Sequence, residues 1–196
     1  MRPVKSSEAA DAATRVVDDT RRWLERAVIG LNLCPFAKAV HAKGQIHFAV
    51  SPARAPQDLL DDLRHELLAL AAATAQVRDT TLLIAPFCLP EFLLFNDFLA
   101  EADHVLVDLN LEGAIQIAPF HPQFEFADAP AGDITHYTNR APYPTLHLLR
   151  EDSVARAVEA FPLAQEIFEK NKQTLRSLGP AGWRQLKVGA RLPNEG

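Results

Sequence analysis

Cys34, His121 and His147 are the candidate catalytic side chains of this sequence. Pro35 favours a first helical position, so Cys34 is predicted to cap a short helix whose free N–H groups would stabilise a thiolate nucleophile. His121 follows a predicted strand and His147 lies in a predicted helix, where a neutral imidazole can transfer a proton. Each also has a structural interpretation, because cysteine is often buried in apolar runs and loop histidines are often held by the backbone.

A second group of polar residues is predicted to bind an anion. Asn139 and Arg140 shortly precede a helix predicted to begin at Pro144, and Tyr143 and Arg150 lie close by in the sequence. Guanidinium groups and free N–H groups at a helix start bind phosphate or carboxylate. The structural alternative is that Arg140 braces a loop and that Arg150 pairs with a neighbouring acid.

Hydrophobic periodicity and proline or glycine punctuation predict the elements that would hold these residues. Strands separated by helices pair in parallel through right-handed crossovers. We therefore expect an α/β fold with a small, mainly parallel three-stranded sheet flanked by helices, and two helices at the C-terminal end. On the helix predicted from Pro144, His147 and Arg150 are three residues apart and share a face. The predicted strands cover 46–50, 80–85 and 114–118, and the predicted helices 14–30, 36–41, 58–73, 90–109, 144–160 and 163–178.

The carboxyl ends of the predicted strands are the expected location of the site. Ligands of open α/β sheets bind at that edge. Ser51, Cys88 and His121 follow the three predicted strands. The stretch from Phe120 to Pro142 has no periodicity and begins at the same edge, and long loops of this kind are often functional. We therefore expect the candidate residues to converge there.

Length, charge and cysteine usage indicate one domain in the cytoplasm. We expect a flexible N-terminus at 1–12, a single α/β domain at 13–180 and a loose tail at 181–196. A net charge of −5 without a long basic run argues against binding to nucleic acid or to an anionic membrane. The two cysteines match no disulfide or zinc pattern, which favours a reducing compartment. The first residues contain no apolar segment of the kind found in secretory leaders, so we expect no leader, and no apolar stretch is long enough to span a bilayer.

The leading functional hypothesis is a small cytosolic enzyme that acts on an anionic metabolite. Arg140 and Arg150 would hold the anion, His121 or His147 would transfer a proton, and Cys34 would be the nucleophile. No motif identifies a cofactor, because the sequence contains no phosphate-binding or dinucleotide-binding glycine pattern.

Two alternatives remain open. The first is a metal site that contains His121, His147 and either Cys34 or His136, although their spacing fits no standard zinc pattern. The second is a non-catalytic module that binds a ligand or a protein through exposed aromatic residues. The aromatic residues near the proposed edge are Phe87, Phe120, Phe124, Phe126 and Tyr143.

Several segments together resemble the bacterial family known as domain of unknown function 1415. They are TRRWLERAVIGLNLCPFAKAV at 20–40, FNDFL at 95–99, IAPFHPQFEFA at 117–127, YTNRAPYPTLHLLRE at 137–151 and a segment from Lys170 to Leu178. The resemblance covers residues 14–180. It implies a short bacterial protein that stands alone, and it implies no reaction, cofactor or catalytic residue.

Overall fold

Within the residues that the structure describes, six α-helices and four β-strands form an α/β fold. The structure is a computed structural model that describes residues 4–160 and 166–191. The strands are β1 (Ile46–Val50), β2 (Thr80–Ile84), β3 (Ile115–Phe120) and β4 (Thr145–Arg150). The helices are α1 (Val4–Trp23), α2 (Ala37–Ala42), α3 (Pro56–Ala72), α4 (Phe92–Asp108), α5 (Glu151–Ala160) and α6 (Ile167–Gln185).

The sheet is mixed and has the strand order β1-β2-β4-β3. β1 and β2 are parallel, whereas β4 is antiparallel to both of its neighbours, β2 and β3. The prediction of a mainly parallel sheet of three strands is corrected by this central fourth strand. Because β4 runs in the opposite direction, its first residue lies at the edge where β1, β2 and β3 end.

The predicted helix 144–160 is wrong in its first half. Thr145–Arg150 forms β4, and α5 begins only at Glu151. Side chains alternate between the two faces of a strand, so His147 and Arg150 point to opposite faces instead of sharing one. The reason is tertiary: β4 forms backbone ladders with both β2 and β3, and these outweigh the helix-start signal of Pro144.

The two faces of the sheet are covered differently. α3 and α4 cover one face, where the leucines of α3 pack with Phe95 of α4 and with Leu146 and Leu148 of β4. α1 and the segment that follows it cover the other face through Val16, which packs near Leu82 and Phe48. Thr145, His147 and Leu149 alternate with Leu146 and Leu148, so they lie on this second face.

The chain leaves α1 through a tight turn that delivers Cys34. A π-helical segment, Leu24–Ile29, continues α1. A Cβ atom at Gly30 would lie 2.3 Å from the carbonyl oxygen of Arg26, so glycine is the residue that fits there. Asn32 has a positive φ of 54°, which asparagine tolerates. The helical segment thus ends at Ile29 with Gly30 as its cap, in agreement with the predicted limit at residue 30.

The long loop and the C-terminal segment are more structured than the sequence suggested. Residues 134–138 of the loop form a 3₁₀ helix that packs against α6. α6 bends at Gly179, where the helix was predicted to end. Residues 4–12 belong to α1, and α6 includes residues 181–185 of the predicted tail. The predicted break at 161–162, residues 163–165 and the last part of the tail lie outside the described residues.

Candidate functional site

A cavity of about 340 Å³ lies between the second face of the sheet and the elements that cover it. We call it the sheet-face cavity. β1 to β4 form its floor, and the end of α1 with α2 and α5 forms its walls. Most of the lining is apolar, and includes Trp23, Phe36, Leu82, Phe120 and Ala157. The polar or reactive lining residues are Cys34, Asp79, Thr80, Gln116, His147 and Ser153.

His147 is fixed in this cavity by Thr80. The Thr80 hydroxyl has one hydrogen, which it donates to the carbonyl oxygen of Leu148 at 2.6 Å. Thr80 Oγ1 also lies 2.7 Å from His147 Nε2, so it must accept the hydrogen of that nitrogen. We infer that Nε2 is protonated and that Nδ1 holds a lone pair. Nδ1 has no hydrogen-bond partner among the described residues.

Burial keeps the His147 ring neutral. Removal from water disfavours the imidazolium ion and lowers the pKa of His147 to about 4. Across the sheet, the ring of Phe120 lies 6.1 Å from the His147 ring between centroids. The cavity therefore contains a neutral imidazole whose Nδ1 can accept a hydrogen bond from a bound molecule.

Asp79, Thr80 and Ser153 are site residues that the sequence analysis did not identify. The Ser153 hydroxyl donates to the Asp79 carboxylate at 2.6 Å, joining the start of α5 to the start of β2. With Thr80 and His147, this pair gives the cavity a polar end. Asp79 and Thr80 begin a strand, but the sequence contains no sign of their contact with residues more than 60 positions away.

Cys34 lines the sheet-face cavity but does not cap α2. Phe36 holds the N-cap position of α2, so the predicted stabilisation of a thiolate by that helix start loses its basis. Cys34 is partly buried, and the preceding carbonyl, of Leu33, accepts a 2.7 Å hydrogen bond from Asn171 of α6. The structure thus brings Cys34 and His147, two of the three predicted catalytic residues, to one cavity.

His121 and Asn139 lie elsewhere and hold the long loop. His121 is fully buried, its Nδ1 accepts the Gln123 N–H and its Nε2 donates to the Leu89 carbonyl. Burial lowers the pKa of His121, although the bond to Leu89 opposes that shift. The backbone N–H of His121 donates to the Asn139 carbonyl, and the Asn139 amide donates to the carbonyl of Pro119. These contacts give both residues a structural role.

The residues proposed for a metal site are not brought together. His121 contacts Phe92 and Phe95 of α4, so it lies on the face of the sheet opposite to His147. His136 is also buried and uses both ring nitrogens on the loop backbone. Among the residues of 4–160 and 166–191, no group of three or more histidine, cysteine or acidic side chains is positioned to hold a metal ion.

Arg150 and Tyr143 of the predicted anion site lie at opposite ends of the central strand β4. Arg150 donates to the carbonyl oxygens of Leu70 and Ala73 at 2.5 and 2.6 Å, and so satisfies the C-terminal end of α3. Tyr143 precedes β4 and donates its hydroxyl to Asp19 at 2.8 Å. Burial and the Asp19 carboxylate raise the pKa of Tyr143.

Arg140 lines a separate groove of about 540 Å³. Its Nε donates to the Phe124 carbonyl, and its guanidinium group lies 4.4 Å from the centre of the Tyr137 ring. Trp183 lines the same groove, which we call the aromatic–basic groove. Trp23 borders both this groove and the sheet-face cavity.

The aromatic residues of the predicted docking surface contact other side chains of the protein. The rings of Phe124 and Phe126 lie 5.0 Å apart, and Phe120 packs edge-on against Trp23 at 5.2 Å. Phe87 is exposed and stacks with Arg54 instead. These five residues therefore form no continuous exposed patch.

Comparison with known proteins places the chain in a family. A profile of the family described as proteins of unknown function, DUF1415, matches residues 15–185. The chain belongs to the DUF1415 family. The match confirms the resemblance found in the sequence and includes both Cys34 and His147. No curated protein and no solved structure is significantly similar to this DUF1415 chain. Across residues 4–160 and 166–191, its helices are too short or too polar to cross a membrane.

Proposed function

We propose that this DUF1415 protein binds a small, largely apolar molecule in the sheet-face cavity. The observation that carries the proposal is that two chemically reactive side chains, Cys34 and His147, line one cavity with mainly apolar walls. Its volume of about 340 Å³ is near the lower end of the range for small-molecule sites. In such sites, apolar walls supply binding free energy and a few polar groups fix the orientation of the ligand.

His147 is the orienting group in this proposal. With a pKa of about 4 the ring accepts a hydrogen bond more readily than a proton at neutral pH. A hydroxyl or amide group of the bound molecule can therefore donate to Nδ1, while Thr80 holds Nε2. Asp79 and Ser153, already hydrogen-bonded to each other, add further polar contacts at the same end of the cavity.

The finer proposal is an enzyme that acts on a small anionic metabolite. The Cys34 sulfur would add to a carbonyl carbon of the metabolite, the electrons of the C=O π bond would move to its oxygen, and His147 would accept the thiol proton. A negative charge on the metabolite beside the ring would favour the imidazolium ion and raise the pKa of His147 toward neutrality. The substrate would thus activate the base that acts on it.

We also propose a cytoplasmic location. Its support is that Cys34 and Cys88 are both free thiols, as is usual in a reducing compartment.

Filling the cavity tests the binding proposal. Ala157 of α5 lines the cavity, whereas Ala155 of the same helix is exposed and does not. The probe is N-phenyl-1-naphthylamine, a neutral apolar dye that becomes fluorescent in apolar surroundings. We expect the protein to bind the dye, Ala157→Phe to weaken binding about tenfold or more, and Ala155→Phe to leave it unchanged.

A second matched pair protects the test against a variant that fails to fold. Ala37 of α2 lines the cavity, and Ala39 of α2 is exposed. Ala37→Leu should weaken dye binding, and Ala39→Leu should not. Dye binding that is absent from the folded protein, or equal in all four variants, would contradict the proposal.

A further inference from the structure

We propose that the aromatic–basic groove is a second binding site, and that its ligand is an aromatic ring carrying a phosphate or carboxylate group. This site goes beyond the proposed function, because its residues other than Trp23 do not line the sheet-face cavity. Three of its side chains are cationic: Arg140, Arg184 and Lys187.

The charge of the groove is the first argument. The chain carries a net charge of −5, yet no acidic side chain is among the described residues that line the groove. Arg184 and Lys187 are exposed, and their side chains form no hydrogen bond or ion pair with the described residues. Free guanidinium and ammonium groups that converge on one groove favour an anionic ligand.

The aromatic wall is the second argument. Tyr137 and Trp183 are in edge-to-face contact, with 5.0 Å between their ring centres. The Arg140 guanidinium lies over Tyr137, is held by the Phe124 carbonyl and pairs at 3.8 Å with Glu125, which does not line the groove, so its planar group is already oriented. An inorganic anion would make no contact with these two rings. A ligand in which an aromatic ring carries the anionic group would bury apolar surface against them.

A neighbouring groove is a weaker candidate for the anion. It is lined by Arg22, Arg26, Lys187 and Arg191 and shares Lys187 with the aromatic–basic groove. There, however, the Asp19 carboxylate already pairs with Arg22 and Arg191. Those two cations share one carboxylate, and Arg26 donates to the carbonyl of Leu186, so three of the four cations in this groove already donate to the protein, whereas Arg184 does not.

The two tryptophans make the site directly measurable. Trp23 and Trp183 are the only tryptophans in the chain, and both line the groove. We would titrate the protein with phenyl phosphate, benzoate, inorganic phosphate and benzyl alcohol, and follow tryptophan fluorescence. We expect phenyl phosphate or benzoate to bind at least about tenfold more tightly than inorganic phosphate or benzyl alcohol. Whichever of the first two binds more tightly identifies the anionic group.

Removal of the two free cations tests their role. Arg184→Gln/Lys187→Gln should raise the Kd for the better anionic ligand about tenfold or more, since each charged hydrogen bond contributes a factor of that order. Lys38→Gln/Lys43→Gln removes the same charge from exposed positions elsewhere and should leave the Kd unchanged.

Two results would overturn the assignment. One is that benzyl alcohol binds as tightly as the anions, and the other is that both double variants bind them equally. Ala157→Phe separates this site from the cavity, because it should weaken dye binding and preserve the binding of the anion.

Discussion

Asp19 of α1 and Arg191, at the end of the described C-terminal segment, form an ion pair at 2.6 Å across 172 positions of sequence. Asp19 is fully buried and also accepts hydrogen bonds from Arg22, from Tyr143 and from the backbone N–H of Arg191. The carboxylate thus holds the C-terminal segment against α1, beside the aromatic–basic groove.

Asp19→Asn should destabilise the protein by about 3 kcal/mol at pH 7, because Arg22 and Arg191 lose the buried carboxylate that pairs with them. Burial alone would raise the pKa of Asp19, but hydrogen bonds from Arg191, Tyr143 and Arg22 together lower it. A lowered pKa gives stability that is present above the unfolded value near 4 and is lost as the pH falls through the folded value. The difference between wild type and variant in urea unfolding should therefore shrink below about pH 4.

Asp18→Asn is the matched control, because Asp18 is exposed on the same helix. We expect it to change the free energy of unfolding by less than about 0.5 kcal/mol. Equal effects of the two substitutions would show that the buried carboxylate does not hold the C-terminal segment.

His147 should make folding sensitive to mild acid. Burial lowers its pKa to about 4, whereas an unfolded histidine titrates near 6.5. The unfolded state therefore binds a proton first as the pH falls, and stability decreases below about pH 6.5. Between pH 7 and pH 5 this single group should contribute a loss of about 2 kcal/mol.

His147→Gln isolates that contribution, because an amide can still donate to Thr80 without titrating. Urea unfolding at pH 7 and pH 5 should show a smaller pH dependence in the variant by about the same 2 kcal/mol. An unchanged pH dependence would mean that His147 titrates over the same pH range in the folded and the unfolded protein.

Arg150 should be important for stability and not for binding. Arg150→Met removes the charged donor from the carbonyl oxygens of Leu70 and Ala73, and we expect a loss of about 3 kcal/mol in unfolding free energy. Binding of the anionic probes to the folded variant should stay the same. Arg156→Met, at an exposed position of α5, is the control and should cost little. Weaker anion binding by folded Arg150→Met would restore the original prediction for this residue.

The sequence predicted those elements whose limits are marked by proline or glycine. β1 has the predicted bounds, and β2 ends one residue before the predicted limit, ahead of Pro86. β4 was missed because it passes directly into α5, so that no turn residue separates the strand from the helix after Pro144. The alternation of Leu146 and Leu148 with His147 is the signal that could have identified it.

The site was predictable only in part, for a geometric reason. Strand-end reasoning correctly put Tyr143 and His121 at one edge, but the sheet-face cavity lies on a face of the sheet. The assignment of β4 to a helix was enough to put Arg150 in the wrong place. Backbone groups that are distant in the sequence also decide whether a histidine has a free ring nitrogen. At His121, for example, the Leu89 carbonyl accepts a hydrogen bond from Nε2.

The accessibility of Cys34 is the remaining question about the cavity. Cys88 is buried in the core between the sheet and α3–α4, and burial raises the pKa of its thiol, so it should react slowly. Cys88→Ala leaves Cys34 as the only thiol. Alkylation of the folded protein then reports on Cys34 alone.

The most direct test of the central claim is the rate at which iodoacetamide labels Cys34 in Cys88→Ala protein, with and without N-phenyl-1-naphthylamine. Because Cys34 and the dye would share the sheet-face cavity, we expect labelling of the folded protein and a decrease in its rate as the dye saturates. Labelling that occurs only on unfolding, or that proceeds at the same rate with saturating dye, would contradict the account.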